Sequence, residues 1–205
     1  MRVYILRHAE TDFNLQGIVQ GSSVNTDINE KGQLQSKAFY EHYAHIPFEL
    51  VVTSALKRTH QTVHSFIKQG IPWHQTPDIN EISWGMNEGK PTTPEWRAIW
   101  EEVRDHWNTG RLEARMPGGE SARELNDRLL RFIDWLSQRQ EKKILICTHG
   151  RAMRGLVTLL KGVTLADMEG VPHVNTGCYV AEFRGDRFHF EVENDVTHLS
   201  RFGLI

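Results

Sequence analysis

Three short polar segments each follow an apolar run of the kind that forms a buried strand. The segments are Arg7-His8, Ser54 to Arg58 and Thr148-His149-Gly150. In an open α/β sheet, ligands bind beyond the carboxyl ends of the strands, where loops and helix amino termini meet. The three segments would bring two imidazoles, two guanidinium groups and several helix-start amides to one edge of the sheet. Such a set suits a dianionic phosphoryl group.

None of these residues is strong evidence alone. A histidine at a strand end is most often a hydrogen-bonded structural residue, and Arg58 beside Lys57 is by default a solvated charge. Glu81 is by default an exposed loop carboxylate. The hypothesis of a phosphoryl site depends on all of them converging under one topology.

The chain alternates predicted strands with predicted helices. The strands are 2–7, 49–53 and 144–147, which are rich in β-branched and aromatic residues, and a hairpin of 178–184 and 187–193 joined by Gly185-Asp186. The helices are about 30–45, 55–68, 121–139 and 151–161. This order predicts an α/β three-layer sandwich, with a mostly parallel central sheet, helices on both faces and the antiparallel hairpin toward one edge.

Capping residues mark two of the helix starts. Asn29 can cap the helix over 30–45, whose candidate apolar positions are Leu34, Ala38, Tyr40 and Tyr43. Ser121 and Glu124 have the spacing of a capping box, in which each side chain accepts from a backbone amide of the other residue.

Residues 77–118 differ from the rest because Pro, Gly, Trp and charged residues are frequent there. Only one helix is predicted within them, near 94–108. We interpret them as a small, mainly helical lid inserted into a single domain of residues 1–205. Gly118-Gly119 lacks the Lys-Ser/Thr of a P-loop and is expected to lead into a helix. Four tryptophans are expected to pack the lid rather than to stack bases, namely Trp84, Trp96, Trp100 and Trp107.

Composition argues against several protein classes. Lys plus Arg total 24 against 26 for Asp plus Glu, so the net charge of -2 predicts no nucleic-acid partner and no anionic membrane partner. A membrane helix needs roughly 18 to 20 consecutive apolar residues, and no segment has them. The apolar start over residues 1–6 is too short for a secretory signal, so a cytoplasmic protein is expected.

Cysteine and histidine patterns predict neither a disulfide nor a metal site. Cys147 and Cys178 each sit inside an apolar run and are expected to be reduced core thiols. No carboxylate completes a metal site with the histidines that have helical spacing, so these are expected on solvated helix faces. They are His42, His45, His60 and His64.

Four segments together carry a family resemblance. They are Leu6 to Thr11, with Asn14 and Gln20-Gly21 beyond it; Thr53 to Thr59; Glu81 to Gly89; and Thr148-His149-Gly150. In this order they resemble the motifs of the histidine phosphatase superfamily, the phosphoglycerate-mutase-like proteins, over nearly the whole chain. Pro117 to Ser121 and Asn194 to Leu199 resemble elements seen more in its phosphatase branch than in the mutases.

The resemblance implies a phosphatase in which neutral His8 attacks phosphorus and forms a phosphohistidine. It implies that Arg7, Arg58 and His149 hold the phosphoryl oxygens, and that Glu81 is the general acid and base. The residues expected to bind a small phosphate monoester are Arg7, Asn14, Gln20, Gly21, Arg58, Glu81, His149 and Gly150. Charge stabilisation by this clamp implies that neither a metal nor a cofactor is needed.

Two departures from the family pattern stand out. Ala9 occupies a position where the family usually has glycine, which matters only if this position needs a positive φ. The loop 22–27 lacks the aromatic residue and the proline common there, so substrate preference does not carry over from any one subfamily.

Three functions remain as hypotheses. A phosphomonoesterase is favoured over a phosphoglycerate mutase, because the predicted lid is short and lacks the paired arginines that mutases carry in a longer insertion. A non-catalytic phosphate-binding module would predict loss of His8, Glu81 or His149, and all three are present. Sugar phosphates, phosphoglycerates, nucleotides, ribazole phosphate and phosphoproteins stay open as substrates, and the oligomeric state stays open as well.

Overall fold

The computed structural model describes residues 1–205 as six strands and eight α-helices. The strands are β1 (Arg2–Arg7), β2 (Leu50–Thr53), β3 (Trp73–Gln75), β4 (Lys143–Thr148), β5 (Cys178–Arg184) and β6 (Arg187–Asp195). The helices are α1 (Asp12–Leu15), α2 (Glu30–Tyr43), α3 (Lys57–Thr62), α4 (His64–Lys68), α5 (Pro94–Asn108), α6 (Ala122–Ser137), α7 (Gly150–Leu160) and α8 (Thr197–Ser200).

All six strands form one sheet in the order β3-β2-β4-β1-β5-β6. The first four in that order pair in parallel, and β5 and β6 add an antiparallel hairpin at one edge. The mostly parallel α/β fold predicted from the sequence is confirmed. Because β1 lies beside β4, the polar residues that follow these two strands leave the sheet side by side.

Both faces of the sheet are covered, since alternate residues of one strand enter two different cores. Val3 and Ile5 of β1 belong to the larger core, in which α6 and α7 pack through residues such as Leu129. Tyr4 and Leu6 belong to the smaller core, together with Phe39, Phe66 and other side chains of α2 and α4. A strand buried on both faces needs a nearly continuous apolar run, as these strands have.

The single helix predicted over 55–68 is wrong, because two short helices occupy that segment. At Val63 the backbone leaves the helical region, with φ -108° and ψ 13°. Just before it, the Thr62 hydroxyl donates to the carbonyl of Arg58 over 2.6 Å and accepts from the amide of Ala9 over 2.9 Å. A hydroxyl bonded to the carbonyl four residues earlier bends a helix.

Helix α2 also ends earlier than predicted, at Tyr43 rather than at 45. Of its four candidate apolar positions, Leu34 is 51% exposed and does not belong to the core. Asn29 caps this helix as predicted, since its side chain accepts from the amide of Gly32 over 2.8 Å. Ser121 and Glu124 form the predicted capping box of α6.

The segment between β3 and α6 contains α5, whose bounds match the predicted helix near 94–108. Short 3₁₀-helices lie at Pro77–Ile79 and Gly85–Asn87. The tryptophans of this segment pack on one another, as predicted: Trp100 contacts Trp84 and Trp107 edge to face, with ring centroids 5.1 and 5.2 Å apart. The segment therefore carries a small aromatic cluster against the larger core.

Cys147 and Cys178 are buried free thiols, as predicted. Both are in register with Leu6, one from each neighbouring strand, so the whole width of β1 separates them. Neighbouring strands lie about 4.8 Å apart, which puts these residues beyond the Cα separation that a disulfide spans. No helix of the structure has both the length and the apolarity to cross a bilayer.

Candidate active site

The carboxyl ends of β1 and β4 lie next to each other, and a histidine follows each of them. Arg7 is in register with Thr148, and the amide of His8 donates to the carbonyl of Thr148 over 2.9 Å. The rings of His8 and His149 have centroids 5.2 Å apart. The parallel pairing therefore brings the two predicted histidines together.

His8 is held in one neutral tautomer. Its Nδ1 lies 2.7 Å from the carbonyl oxygen of Ala9, which can only accept, so Nδ1 carries the proton and Nε2 keeps a free lone pair. Burial, together with the charges of Arg58 and Arg7, holds the pKa of His8 well below its usual range. Ala9 does not have a positive φ, so the alanine in place of the family's glycine is accommodated without strain.

Arg7 extends from the end of β1 into the same place with an uncommitted guanidinium group. Its Nε is buried and has no hydrogen-bond partner in the protein. Burial lowers the pKa of Arg7, and the carboxylate of Glu81 acts in the opposite direction. A half-buried cation with an unpartnered N–H is suited to an anionic ligand.

Arg58, by contrast, hydrogen-bonds acceptors of the protein with each of its nitrogens. Nε donates to Nδ1 of His149 over 3.1 Å, and the two terminal nitrogens donate to the carbonyls of Val24 and Gly21. Burial lowers the pKa of Arg58 to about 10, so it remains a cation at neutral pH. Its side chain is fully buried, and it places positive charge beside both histidines.

The bond from Arg58 also sets the tautomer of His149. Because Nδ1 accepts, Nε2 carries the proton and donates to the hydroxyl of Ser54 over 2.7 Å. That hydroxyl also accepts from the amide of Leu56 and lies 3.0 Å from the hydroxyl of Thr59. Burial and the charge of Arg58 keep the pKa of His149 well below its usual range.

Glu81 caps the amino end of α7 rather than lying exposed in a loop. It is 8% exposed, and its two carboxylate oxygens accept from the amides of Arg151, Ala152 and Ile82 over 3.0 to 3.1 Å. A carboxylate at a helix amino terminus is stabilised by the unpaired amides and the helix dipole. Since α7 begins directly after His149, this cap brings Glu81 to the two histidines.

Asn14 and Gln20 both contact Thr11, in the loop that follows His8. Asn14 forms a capping box with Thr11, and Gln20 donates to the hydroxyl of Thr11 over 2.7 Å. Asn175 joins this group, because its amide donates to the carbonyl of His8 over 2.9 Å and to Oδ1 of Asn14 over 3.3 Å.

Gly21 is required by close packing. A Cβ there would collide with the carboxylate of Glu88 and lie 2.8 Å from the carbonyl of Ile82. Glu88 accepts from Ser23 on one side and from Ser83 and Trp84 on the other. This carboxylate therefore fastens the loop that holds Arg58 to the segment that carries Glu81.

Gly150, the first residue of α7, has no space for a side chain either. A Cβ at this position would lie 2.8 Å from Nε2 of His173 and 3.6 Å from Nε of Arg7. Sequence reasoning did not find His173 or Asn175, and it included Ser54 and Glu88 only as members of the segments Ser54 to Arg58 and Glu81 to Gly89. The first two come from the irregular segment before β5, which has no periodicity; only the short motif Asn175-Thr176-Gly177 hints at a functional turn.

A cleft of about 270 Å³ opens beside Asn14 and Gln20. It is mainly apolar, and its wall comes partly from the loop after β1 and partly from the segment between β3 and α6. Its lining residues are Phe13, Asn14, Gly17, Ile18, Val19, Gln20, Trp84, Thr92 and Trp96. The described site therefore combines a cationic floor with a mainly apolar side cleft.

The chain is similar to one protein family over nearly its whole length. The family model of the histidine phosphatase superfamily (branch 1) matches residues 3–196. The uncharacterized phosphatase PhoE of Bacillus subtilis (strain 168) is 28% identical, with 98% of this chain and 97% of the relative covered. A probable phosphoglycerate mutase, GpmB of Citrobacter koseri, is 30% identical over 80% of this chain and 76% of its own length.

A solved structure supports the same assignment. YhfR of Bacillus stearothermophilus superimposes with a TM-score of 0.83 at 28% identity, covering 97% of this chain and 98% of the other. From the family match and this shared architecture, the chain belongs to the histidine phosphatase superfamily, and its enzyme class is phosphatase.

Proposed function

We propose that this protein hydrolyses phosphate monoesters through a phosphohistidine on Nε2 of His8. The observation that carries the proposal is the bond from Nδ1 of His8 to the carbonyl of Ala9, which leaves Nε2 unprotonated. An imidazole is a nucleophile only in its neutral form, and burial among cations keeps His8 neutral.

In the first step Nε2 attacks phosphorus, and the bond between phosphorus and the ester oxygen breaks. The leaving oxygen takes a proton from Glu81. In the second step the Glu81 carboxylate accepts a proton from water, the water oxygen attacks phosphorus, and the bond to Nε2 breaks, which releases inorganic phosphate. Glu81 regains the proton it gave, and His8 returns to its neutral form.

The phosphoryl oxygens would be bound by donors at the floor of the site. Arg7 supplies an uncommitted guanidinium, while Arg58 and His149 supply fixed charge and dipole that need no rearrangement of solvent. The positive charge of these groups offsets the negative charge of the equatorial oxygens, which supports a reaction without a metal or a cofactor. Gly150 would bring the start of α7 close to the ligand, and Asn14, Gln20 and Gly21 would form the rim.

Residues 77–118 are proposed as a lid within a single domain of residues 1–205. The segment contributes Trp84 and Trp96 to the side cleft, where the alcohol part of a small phosphate monoester would lie. We also propose a cytoplasmic location. The two cysteines are free thiols, and the reducing cytoplasm keeps thiols in this form.

The test is rapid quenching during hydrolysis of a labelled aryl phosphate. We expect an acid-labile, base-stable phosphoryl adduct on the wild type. His8→Ala should give neither adduct nor turnover, because the nucleophile is deleted. The variant should still fold, because the change removes a polar site residue rather than apolar core volume. The control is His64→Ala, an exposed histidine on α4. A base-labile adduct, or wild-type turnover in His8→Ala, would rule out the mechanism.

Mutase activity is the second candidate, because a relative named as a probable phosphoglycerate mutase matches at an identity similar to that of the phosphatase. Both products can be measured with 3-phosphoglycerate and catalytic bisphosphoglycerate. Release of phosphate should exceed isomerisation, because the lid lacks paired arginines to retain so highly charged an intermediate. Faster isomerisation would favour the mutase.

A further inference from the structure

His173 is a titratable side chain at the site that the proposed mechanism does not use. It lies in the segment that leads into β5, two residues before Asn175. Its Nε2 packs over Gly150 so closely that a Cβ there would be 2.8 Å away. The ring is half-buried.

The surroundings of His173 contain more positive than negative charge. Burial and the charges of Arg7, Arg154 and Arg151 lower the pKa of His173 to about 3, and no hydrogen bond contributes to this pKa. Arg151 and Arg154 are both paired with Glu169, whereas Nε of Arg7 has no partner. Nε2 of the neutral His173 ring and the unpartnered Nε of Arg7 therefore both lie within 4 Å of the position that a Cβ of Gly150 would take, at the amino end of α7.

We propose that His173 is a third imidazole of the active site, which donates a hydrogen bond from Nε2 to a phosphoryl oxygen of the bound ester beside Arg7. The proposal rests on the phosphatase function above and adds a binding residue to it. A neutral ring has one N–H to donate, and an oxygen bound by Arg7 would come to the face of Gly150 against which that ring packs.

Two other roles of His173 would give different experimental results. If His173 only filled space against Gly150, its removal would lower the melting temperature and leave phosphate affinity unchanged. If it only supported the guanidinium of Arg7, its own ring nitrogens would not sense the ligand. The experiment therefore has to measure phosphate affinity and the response of the ring itself.

The first measurement compares wild type, His173→Ala and His173→Gln, with His64→Ala as the control. Hydrogen bonds to charged groups contribute about 1.5–3 kcal/mol, so we expect the inhibition constant of inorganic phosphate to rise about 10- to 100-fold in His173→Ala. KM for an aryl phosphate should rise similarly. His173→Gln keeps an N–H donor at a similar distance from the main chain and should recover part of the lost phosphate affinity. His64→Ala should match the wild type.

The second measurement follows the histidine ring nitrogens of the wild type by ¹⁵N NMR during titration with inorganic phosphate. The His173 signal, assigned by its loss in His173→Ala, should shift in step with saturation. Unchanged phosphate affinity in both variants, or a His173 ring signal that does not shift when phosphate is added, would overturn the proposal. Binding of inorganic phosphate is measured directly, so a wild type without turnover would contradict the phosphatase function and leave this test intact.

Discussion

At the scale of single residues, contacts with the main chain and with one buried arginine orient the catalytic groups. The carbonyl of Ala9 fixes the proton of His8 on Nδ1, and Arg58 fixes that of His149 on Nε2. Glu81 is held by three amide donors at the start of α7. Each reactive side chain is thus oriented by main-chain or buried cationic groups, which are rigid, rather than by mobile surface groups.

Glu81→Gln tests the acid and base role at this scale. For an ester with a poor leaving group we expect turnover to fall about 10²- to 10⁴-fold, the usual contribution of a general acid. Formation of the phosphoenzyme from an activated aryl phosphate should fall much less, because its leaving group does not need a proton. Pre-steady-state measurements with both esters separate the two cases.

Glu124→Gln is the matched control, because Glu124 also accepts from a backbone amide at the start of a helix. Both variants weaken a helix cap and should lose about 0.5–2 kcal/mol of unfolding free energy. Only Glu81→Gln should lose turnover. Equal losses for the two esters would show that Glu81 orients α7 and transfers no proton.

At the scale of elements, the site is built where three separate segments are fastened together. Parallel pairing places the ends of β1 and β4 side by side. The loop at 21–24 supplies the two carbonyls that hold Arg58, and Glu88 binds that loop to the segment of Glu81. The position of Arg58 therefore depends on residues far from it in the chain.

Gly21→Ala tests this dependence. The added methyl group would collide with Glu88 and with the carbonyl of Ile82, so the loop has to move and its carbonyls leave Arg58. A misplaced catalytic group can cost on the order of 100-fold in rate, and we expect a loss of about 10- to 100-fold in kcat/KM. Gly170→Ala is the control, since nothing lies within 4 Å of its Cβ position and its φ is ordinary. Wild-type activity in Gly21→Ala would contradict this coupling.

At the scale of the whole molecule, buried histidines link folding to pH. His8, His149 and His198 are all almost fully buried, and burial lowers the pKa of each below its ordinary value. Below pH 6.5 the unfolded chain therefore binds protons at these positions that the folded chain does not bind. Stability is full above pH 6.5 and falls as the pH drops toward the lowered values.

Urea unfolding at pH 7 and pH 5 measures this loss. Each such histidine lowers the free energy of unfolding by about 1.4 kcal/mol per pH unit within the window. The pKa of His198 is lowered to about 4. His198→Gln should therefore reduce the slope of unfolding free energy against pH by the contribution of one histidine. Equal stability at the two pH values would contradict the assignment of these rings as neutral.

Periodic patterns and motifs predicted five of the six strands, the helix of the lid and the histidine pair, because strand alternation and capping boxes are local signals. The three-residue strand β3 was missed. The break at Val63 was missed, since it depends on a bond between Thr62 and Ala9, which are distant in sequence. His173 and Asn175 were missed because they lie in irregular chain, where only tertiary contacts reveal a role. Glu81 was found by resemblance, but its cap on α7 is a tertiary contact.

The central place of β1 in the sheet has a consequence for how quickly the chain can fold. β1 pairs with β4 over residues 143–148 and with β5 over residues 178–182, so both of its neighbours are synthesised much later. Sheets closed by such distant partners fold slowly, since a long loop has to be ordered before pairing stabilises it. Until then β1 is an apolar strand with two unpaired edges, which makes the nascent chain prone to aggregation. The same pairing that places His8 beside His149 thus delays formation of the active site until β4 has been synthesised.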